Sequence, residues 1–220
     1  MSEETKLKLK DIIEWIYCII IAVVLALLIR YFIGTPTVVQ QRSMYPTFKQ
    51  GERLILNRMY RTKHVTPHRG EVITFEGPSA SEVYEDEANF EQPIAIYDRE
   101  PTTTWGKFVY HVLEIKKYSY IKRVIGLPGE HVEIKDGKVY INGEELKEEY
   151  LSDDVITNDN GGVFTDIVVP EGTVFVLGDN RTESSDSRRF GCIPFEKIES
   201  KVLFRFWPLS QWATVKDPNY

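Results

Sequence analysis

The chain carries an uncharged apolar segment near its amino terminus, from Trp15 to Ile29. Between residues 12 and 33 only Glu14 and Arg30 are charged, and both lie near the ends of that range. About 20 helical residues rise about 30 Å, which is the thickness of the hydrocarbon core of a bilayer. The segment therefore predicts a transmembrane helix at residues 12–33.

A buried core helix or a cleavable signal peptide would fit this segment less well. A core helix would carry polar residues on one face, and none occur here for four turns. A signal peptide ends in small residues, whereas bulky residues follow from Leu28 to Ile33. We expect an uncleaved anchor that separates a tail at residues 1–11 from a large domain at residues 34–220.

The orientation of the anchor is not decided by its flanking charges. Basic residues are almost equally frequent before and after the span, at Lys6, Lys8 and Lys10 and at Arg30, Arg42 and Lys49. The shortness of the tail favours an inside amino terminus and an exported domain.

Composition excludes several classes of protein. The net charge of −6 gives no overall basic surface for nucleic acid. Cys18 and Cys192 are too few for a disulfide framework, and no paired Cys and His residues have the spacing of metal ligands. His64 and His68 are four residues apart, but Pro67 argues against the helix that would align them. We expect neither a metal nor a cofactor.

Beyond Gly34 the pattern indicates a mainly β fold with an antiparallel, barrel-like sheet. Residues His131 to Ile141 alternate around Asp136-Gly137, which is typical of a hairpin with a type I′ turn, and Asn142-Gly143 marks the next turn. Further strand-like runs occur at residues 38–39, 54–56, 72–75, 163–169, 173–177 and 201–206. No stretch of this domain keeps a convincing helical period.

Residues 76–118 stand apart as an insertion, either a surface excursion or a small subdomain. Several acidic residues lie at its start, at Glu82, Glu85, Asp86, Glu87 and Glu91. A run of charge is usually a solvated face, and we expect the same of this one.

Three segments of the β-rich domain are dense in polar residues, at residues 43–52, 120–130 and 178–188. Each could by itself be purely structural, as a capped turn, an exposed strand and a polar loop. No nucleotide-binding glycine motif, zinc-protease helix or Ser-His-Asp elbow accompanies them.

Together, in this order after a span, the segments resemble the type I signal peptidases of bacteria. The family pattern S-M-x-P-T is matched from Ser43, K-R-x-x-G-x-P-G from Lys122, and G-D-N-R-x-x-S-x-D-S-R from Gly178. A further family box is matched at residues 69–75, with Glu71 for the usual Asp. The resemblance covers most of the chain from the span to about Pro194.

The resemblance implies a serine endopeptidase in which Ser43 is the nucleophile and Lys122 the base. It implies that Ser184 hydrogen-bonds the Lys122 amine and that Arg123 faces Asp179. It also implies a pair that holds the signature loop, formed by Asp186 and Arg188. A lysine acts as a base only when neutral, so Lys122 needs apolar surroundings that lower its pKa.

The oxyanion hole is where this chain departs from the better-known family pattern. Some relatives have Ser or Gly two positions before the nucleophile, and this chain has Gln41. The Ser43 backbone N–H is one donor for the oxyanion. Whether the Gln41 amide adds a second donor stays open.

The resemblance further implies where the protein acts and on what. Its substrates would be precursors with small-x-small cleavage sites, and its place the bacterial cytoplasmic membrane, with the catalytic domain on the outer face. Ser43 follows Ile33 by ten residues, which reach at most about 33–36 Å, so the site lies near the lipid. An extended substrate would pair with a strand edge, either before Ser43 or around Lys122.

Several points remain open from the sequence. The late aromatic residues are assigned to the lipid interface or to the core, with core favoured for Phe204 and Phe206. A monomer is the default expectation.

Two other classes of peptidase fit the sequence less well. Soluble self-cleaving Ser/Lys peptidases lack the span, and the endoplasmic-reticulum type of signal peptidase has His in place of Lys122. A membrane-tethered binding module is the non-enzymatic alternative.

Overall fold

The chain begins with a long helix and continues as a series of antiparallel strands. The computed structural model describes residues 3–63, 65–115, 117–215 and 218. The helices are α1 (Glu3–Phe32), α2 (Met59–Thr62), α3 (Thr104–His111) and α4 (Ser187–Phe190), and short 3₁₀ turns span Phe195–Lys197 and Leu209–Gln211. The strands are β1 (Gly34–Val38), β2 (Arg53–Asn57), β3 (Val72–Glu76), β4 (Ser119–Gly126), β5 (His131–Lys135), β6 (Lys138–Ile141), β7 (Glu144–Glu145), β8 (Asp166–Val168), β9 (Thr173–Leu177), β10 (Ile193–Pro194), β11 (Ile198–Trp207) and β12 (Ala213–Thr214).

The apolar helix stands away from the rest of the chain. Its stretch Lys10–Phe32 is long and apolar enough to cross a membrane, and its most apolar window is not buried against any other element. A core helix would be covered by protein on most sides, so a core helix is excluded for this segment. The helix ends at Phe32, one residue before the predicted end of the span, and β1 follows directly.

Two antiparallel sheets build the domain that follows. The larger has the order β1-β2-β11-β3-β4-β9-β10, with β12 beside β11, and the smaller has the order β7-β6-β5-β8. One core, containing Ile125, Phe175 and Val132, lies where the smaller sheet packs against the larger. A second core, around Phe75 and Val176, fills the interior of the larger sheet. The predicted mainly antiparallel β fold after one apolar helix is confirmed.

The two predicted hairpin turns are present. Asp136 and Gly137 have φ of 50° and 79°, and Asn142 and Gly143 have φ of 52° and 84°. Two successive positive φ values are what a type I′ turn requires, which explains the Asp-Gly and Asn-Gly pairs. These turns join β5 to β6 and β6 to β7.

Residues 77–118 leave the sheet between two strands that pair directly. Glu76 of β3 and Ser119 of β4 are register partners, so the chain departs and returns at one point. The excursion contains α3, which the sequence pattern did not predict. Thr103 caps this helix, because its Oγ1 accepts a hydrogen bond from the Gly106 N–H at 3.1 Å. The acidic residues at the start of the excursion are largely exposed, as expected of a solvated face.

Two details predicted from the sequence are wrong. Residues 163–169 form only the short strand β8, whose pairing with β5 stops at Val168 because its partner His131 is the first residue of β5. Phe204 and Phe206 are half-buried and do not belong to the core. They lie in the last part of β11, where the partner strand β12 is only two residues long and covers little of the surface.

Candidate active site

Strand β4 brings Lys122 against the loop that carries Ser43. The Lys122 Nζ donates a hydrogen bond to Ser43 Oγ at 2.8 Å. Lys122 is only 2% exposed and Ser43 9%, so the pair is almost completely removed from water. The Tyr120 ring lies on the same face of the strand, with its centroid 5.4 Å from the amine. The arrangement places a potential base in hydrogen-bonding contact with a potential nucleophile.

Burial also lowers the pKa of the Lys122 amine. Desolvation lowers the pKa of Lys122 from its ordinary value of 10.5 to about 8, because the ammonium form loses its hydration. Asp186 and Asp179 oppose this shift by favouring the charged form, whereas Arg188 adds to it. The neutral amine that a general base requires is therefore accessible near neutral pH.

The strand that carries the lysine is fixed by a buried ion pair. Arg123 donates to Asp179 through Nε at 2.9 Å and through Nη2 at 2.6 Å, and both side chains are essentially inaccessible. The same carboxylate accepts a hydrogen bond from Thr47 Oγ1 at 2.5 Å. Because Thr47 belongs to the loop of Ser43, the Asp179 carboxylate ties that loop to β4.

The second half of the signature segment is organised by Asp186 and Arg188. Arg188 donates to Asp186 through Nε and Nη2, each at 2.8 Å, and both side chains are fully buried. Asp186 also accepts from the Gly178 N–H at 3.0 Å and caps α4. A bidentate, charge-assisted pair of this kind fixes the loop geometry strongly.

The expected hydrogen bond between Ser184 and Lys122 is absent. Among the described residues, the buried Ser184 Oγ has no hydrogen-bond partner. The hydroxyl instead lies against Gly178, beside the Ser43 carbonyl, and the Lys122 amine is directed to Ser43 Oγ. The resemblance implied that Ser184 hydrogen-bonds the amine and orients it, whereas within the described residues the amine donates to Ser43 Oγ.

Gly178 has a role that a simple turn residue would not have. A Cβ at this position would lie 2.5 Å from the Ser43 carbonyl oxygen and 2.6 Å from the Ser184 Cβ. Only a glycine therefore lets the signature loop approach the nucleophile this closely.

Replacing Gly178 by alanine is expected to displace Ser43 and lower the rate of cleavage. Overpacking of this kind costs about 1–3 kcal/mol, which corresponds to roughly 5- to 150-fold if it falls on the reactive geometry. Gly77→Ala is the control, because a Cβ there comes no closer than 3.3 Å to neighbouring atoms. Steady-state cleavage by Gly178→Ala equal to that of Gly77→Ala would contradict the close-packing argument.

Two contributors inside the motifs were not singled out from the sequence. Thr47 connects the nucleophile loop to Asp179, as described above, and the Asn180 backbone N–H donates to the Ser43 carbonyl at 3.0 Å. Both residues are fixed letters of the matched patterns, and that was the signal available to find them.

A cleft of about 420 Å³ runs from the Ser43–Lys122 pair along the edge of β1. Gln41 is exposed and lines this cleft together with Ser43. Within the described part of the chain, β1 pairs only with β2. The pairing of β4 with β9 starts at Arg123, so the first half of β4 also has one open side. The cleft thus lies between two strand edges that have no strand partner within the described residues.

The sequence predicted that His64 and His68 are not aligned as metal ligands. His64 lies outside the described residues. His68 is close to the Glu71 carboxylate, at 3.4 Å. In the described ranges no group of three or more His, Cys, Asp or Glu side chains has an arrangement suited to a metal ion.

Comparison with known proteins gives related sequences over almost the whole chain. Residues 12–207 match the family described as signal peptidase, peptidase S26. The chain is 35% identical to a probable signal peptidase I-1 of Synechocystis, over 91% of this chain and 85% of that protein. It is 34% identical to signal peptidase I T of Bacillus subtilis, over 98% of this chain and 96% of that protein.

A solved structure is also similar in sequence. It is the crystal structure of a signal peptidase I from Enterococcus faecalis, whose sequence is 30% identical to this one. The alignment covers 62% of this chain and 97% of the Enterococcus chain, with a TM-score of 0.40. The family match includes the apolar helix, Ser43, Lys122 and the signature loop. The chain therefore belongs to the signal peptidase family, peptidase S26.

Proposed function

We propose that this protein is a membrane-anchored serine endopeptidase that removes signal peptides from exported precursors. The observation that carries the proposal is the buried hydrogen bond of 2.8 Å between Lys122 Nζ and Ser43 Oγ. Relatives that match this chain over most of its length are named signal peptidases, which supports the substrate class.

The chemistry follows from the two side chains. Neutral Lys122 takes the proton of the Ser43 hydroxyl while Oγ attacks the carbonyl carbon of the scissile peptide. The Ser43 backbone N–H donates to the developing oxyanion, and the Gln41 amide is the candidate for a second donor. The Lys122 ammonium then gives its proton to the leaving amine, and water hydrolyses the ester on Ser43 with Lys122 again as base.

The cleft supports binding of an extended segment. The open edges of β1 and β4 offer backbone donors and acceptors on both sides, and a substrate strand between them would pair with both. Backbone pairing gives affinity without sequence preference, so selectivity for small side chains would come from the walls of the cleft.

The position of the site favours precursors held in a membrane. The anchor ends at Phe32, and Ser43 follows in a short loop after β1. We propose an inside tail at residues 1–11, an anchor at residues 12–33 and an exported domain at residues 34–220. The protein would act at the outer face of the bacterial cytoplasmic membrane, where a signal peptide presents the end of its apolar segment.

The rate of cleavage is expected to rise with pH up to about 8. The active base is neutral Lys122, whose population increases through its lowered pKa of about 8. Below that pH, kcat/KM should increase about tenfold per pH unit, and above it the profile should level off. Cleavage of a precursor in detergent between pH 6 and pH 10 measures this. A profile that still rises steeply beyond pH 9 would show that burial does not lower the lysine pKa.

The activity itself is tested with a precursor that carries an Ala-x-Ala cleavage site. The purified full chain in detergent should release a product whose new amino terminus follows that site. The control precursor has bulky residues at both alanine positions and should remain uncut. Equal cleavage of the two precursors, or cleavage of neither, would overturn the proposed specificity.

A further inference from the structure

Helix α3 exposes large apolar side chains to the outside of the protein. Trp105 is 71% exposed and Phe108 41%, and their rings stack with centroids 5.4 Å apart. Ile115, shortly after the helix, is 52% exposed. We call these three residues the α3 patch. Exposed apolar surface of this kind often marks a site that contacts a partner or a membrane.

The helix is attached to the domain through its polar side. The Tyr110 hydroxyl donates to Glu76 Oε1 at 2.9 Å, and the His111 ring lies 2.9 Å from Glu100 Oε1. A surface helix of a soluble domain ordinarily turns its apolar side inward and its polar side to water. In α3 the exposed residues include Trp105 and Phe108, whose rings stack on each other, so packing within the domain does not account for their exposure.

The same segment is joined to the outer end of the anchor helix. Glu114 accepts a hydrogen bond from Arg30 of α1 at 2.7 Å and forms an ion pair with Arg58 at 2.5 Å. Arg30 lies two residues before the end of α1, where the chain leaves the apolar stretch. The helical rise from Trp105 to His111 and the three residues that follow span together at most about 20 Å. Trp105 and Phe108 therefore lie within about 20 Å of Glu114 and of its contact with the end of the anchor.

We propose that the α3 patch lies in the interfacial layer of the bilayer, beside the anchor, as a second membrane contact of the catalytic domain. The inference rests on the proposed membrane anchor and assigns a role to the excursion at residues 77–118. Trp105 and Phe108 would enter the boundary between headgroups and acyl chains, and Tyr110 and His111 would keep their contacts with the protein.

The bilayer fits this surface better than a protein partner does. The Arg30–Glu114 contact ties the segment that follows α3 to the end of the anchor, where the apolar stretch of α1 stops. The basic Lys107 is exposed on the same helix, where it can meet lipid phosphate. With an anchor on one side and the α3 patch on the other, the cleft is kept at a defined orientation to the membrane surface.

Single-tryptophan variants of the full chain test this placement. The sequence has four tryptophans, at positions 15, 105, 207 and 212. The test variant keeps Trp105 and carries Trp15→Phe, Trp207→Phe and Trp212→Phe. A second variant keeps only Trp15, which reports on the anchor. A third has all four replaced by Phe and carries Tyr84→Trp, at a position that is 62% exposed in the acidic part of the excursion.

Each variant is reconstituted into phosphatidylcholine vesicles whose acyl chains carry bromine near the headgroup. We expect these lipids to quench Trp105 and Trp15 alike, and aqueous acrylamide to quench neither strongly. The tryptophan at position 84 should show the opposite pattern. Unbrominated vesicles give the reference emission, and precursor cleavage by each variant shows that the fold is kept.

The outcomes separate this inference from the proposed anchor. If bromine quenches Trp15 while acrylamide quenches Trp105, the anchor stands and the α3 contact is wrong. Protection of Trp105 from both quenchers would mean that protein covers the patch, which also overturns the inference. If bromine does not quench Trp15, the anchor itself fails and the α3 contact fails with it.

Discussion

The Ser43→Ala variant is expected to lose precursor cleavage completely within the range of a steady-state assay, and Lys122→Met is expected to do the same. Removing one member of a nucleophile–base pair lowers kcat by roughly 10⁴-fold or more, because the two groups act as a unit. Alanine at position 43 removes the attacking oxygen. Methionine at position 122 fills the buried space of the lysine without supplying a base.

Both variants should retain the fold. The hydrogen bond between the two side chains is one contact in a core with extensive apolar packing, and methionine suits the surroundings of position 122. The matched controls are Ser152→Ala and Lys135→Ala, which change exposed residues of the same types. Circular dichroism and thermal melting in detergent verify that the four proteins are equally folded.

The comparison has outcomes that would exclude the Ser/Lys mechanism. Normal cleavage by Lys122→Met would show that another group removes the serine proton. Normal cleavage by Ser43→Ala would show a different nucleophile or a contaminating protease. Loss of activity in the controls as well would show that the assay reports on folding instead of catalysis.

The Asp179→Asn variant is expected to lose stability strongly. The substitution leaves the Arg123 guanidinium buried without its counter-charge, and breaking a buried pair in this way costs about 3–5 kcal/mol. For a chain of this size the thermal midpoint should fall by roughly 6–20 °C. The variant should also cleave more slowly at temperatures where it is folded, because Thr47 and Arg123 share the Asp179 carboxylate.

A matched aspartate supplies the control. Asp166 lies 2.6 Å from His131, but its side chain is 70% exposed and that of His131 41%, so Asp166→Asn should change stability by less than about 1 kcal/mol. Equal midpoints for the two variants would show that the Arg123–Asp179 pair contributes no more than a surface contact. Thermal melting of the detergent-solubilised proteins, followed by circular dichroism, gives both values.

Local patterns were sufficient for the apolar helix and the tight turns. The span follows from an uncharged stretch of the right length, and the Asp136-Gly137 and Asn142-Gly143 turns follow from the residues that accept positive φ. Strand limits were predicted less well, as at residues 163–169, because a strand ends where its partner ends. Helix α3 was missed since it is short and turns its apolar side outward.

The ordered motifs alone determined the family, the candidate nucleophile and the candidate base. The tertiary structure decided which of these groups touch. Ser43 and Lys122 come from distant parts of the sequence, and only the pairing of β4 in the sheet and the approach of Gly178 bring them to 2.8 Å. Long-range packing also decides the role of Thr47 and the outward position of Trp105 and Phe108. The same holds for the Ser184 hydroxyl, which has no hydrogen-bond partner among the described residues. Residue type and local spacing indicate which chemistry a side chain can perform. The distances between side chains that are remote in the sequence are set by strand pairing and burial.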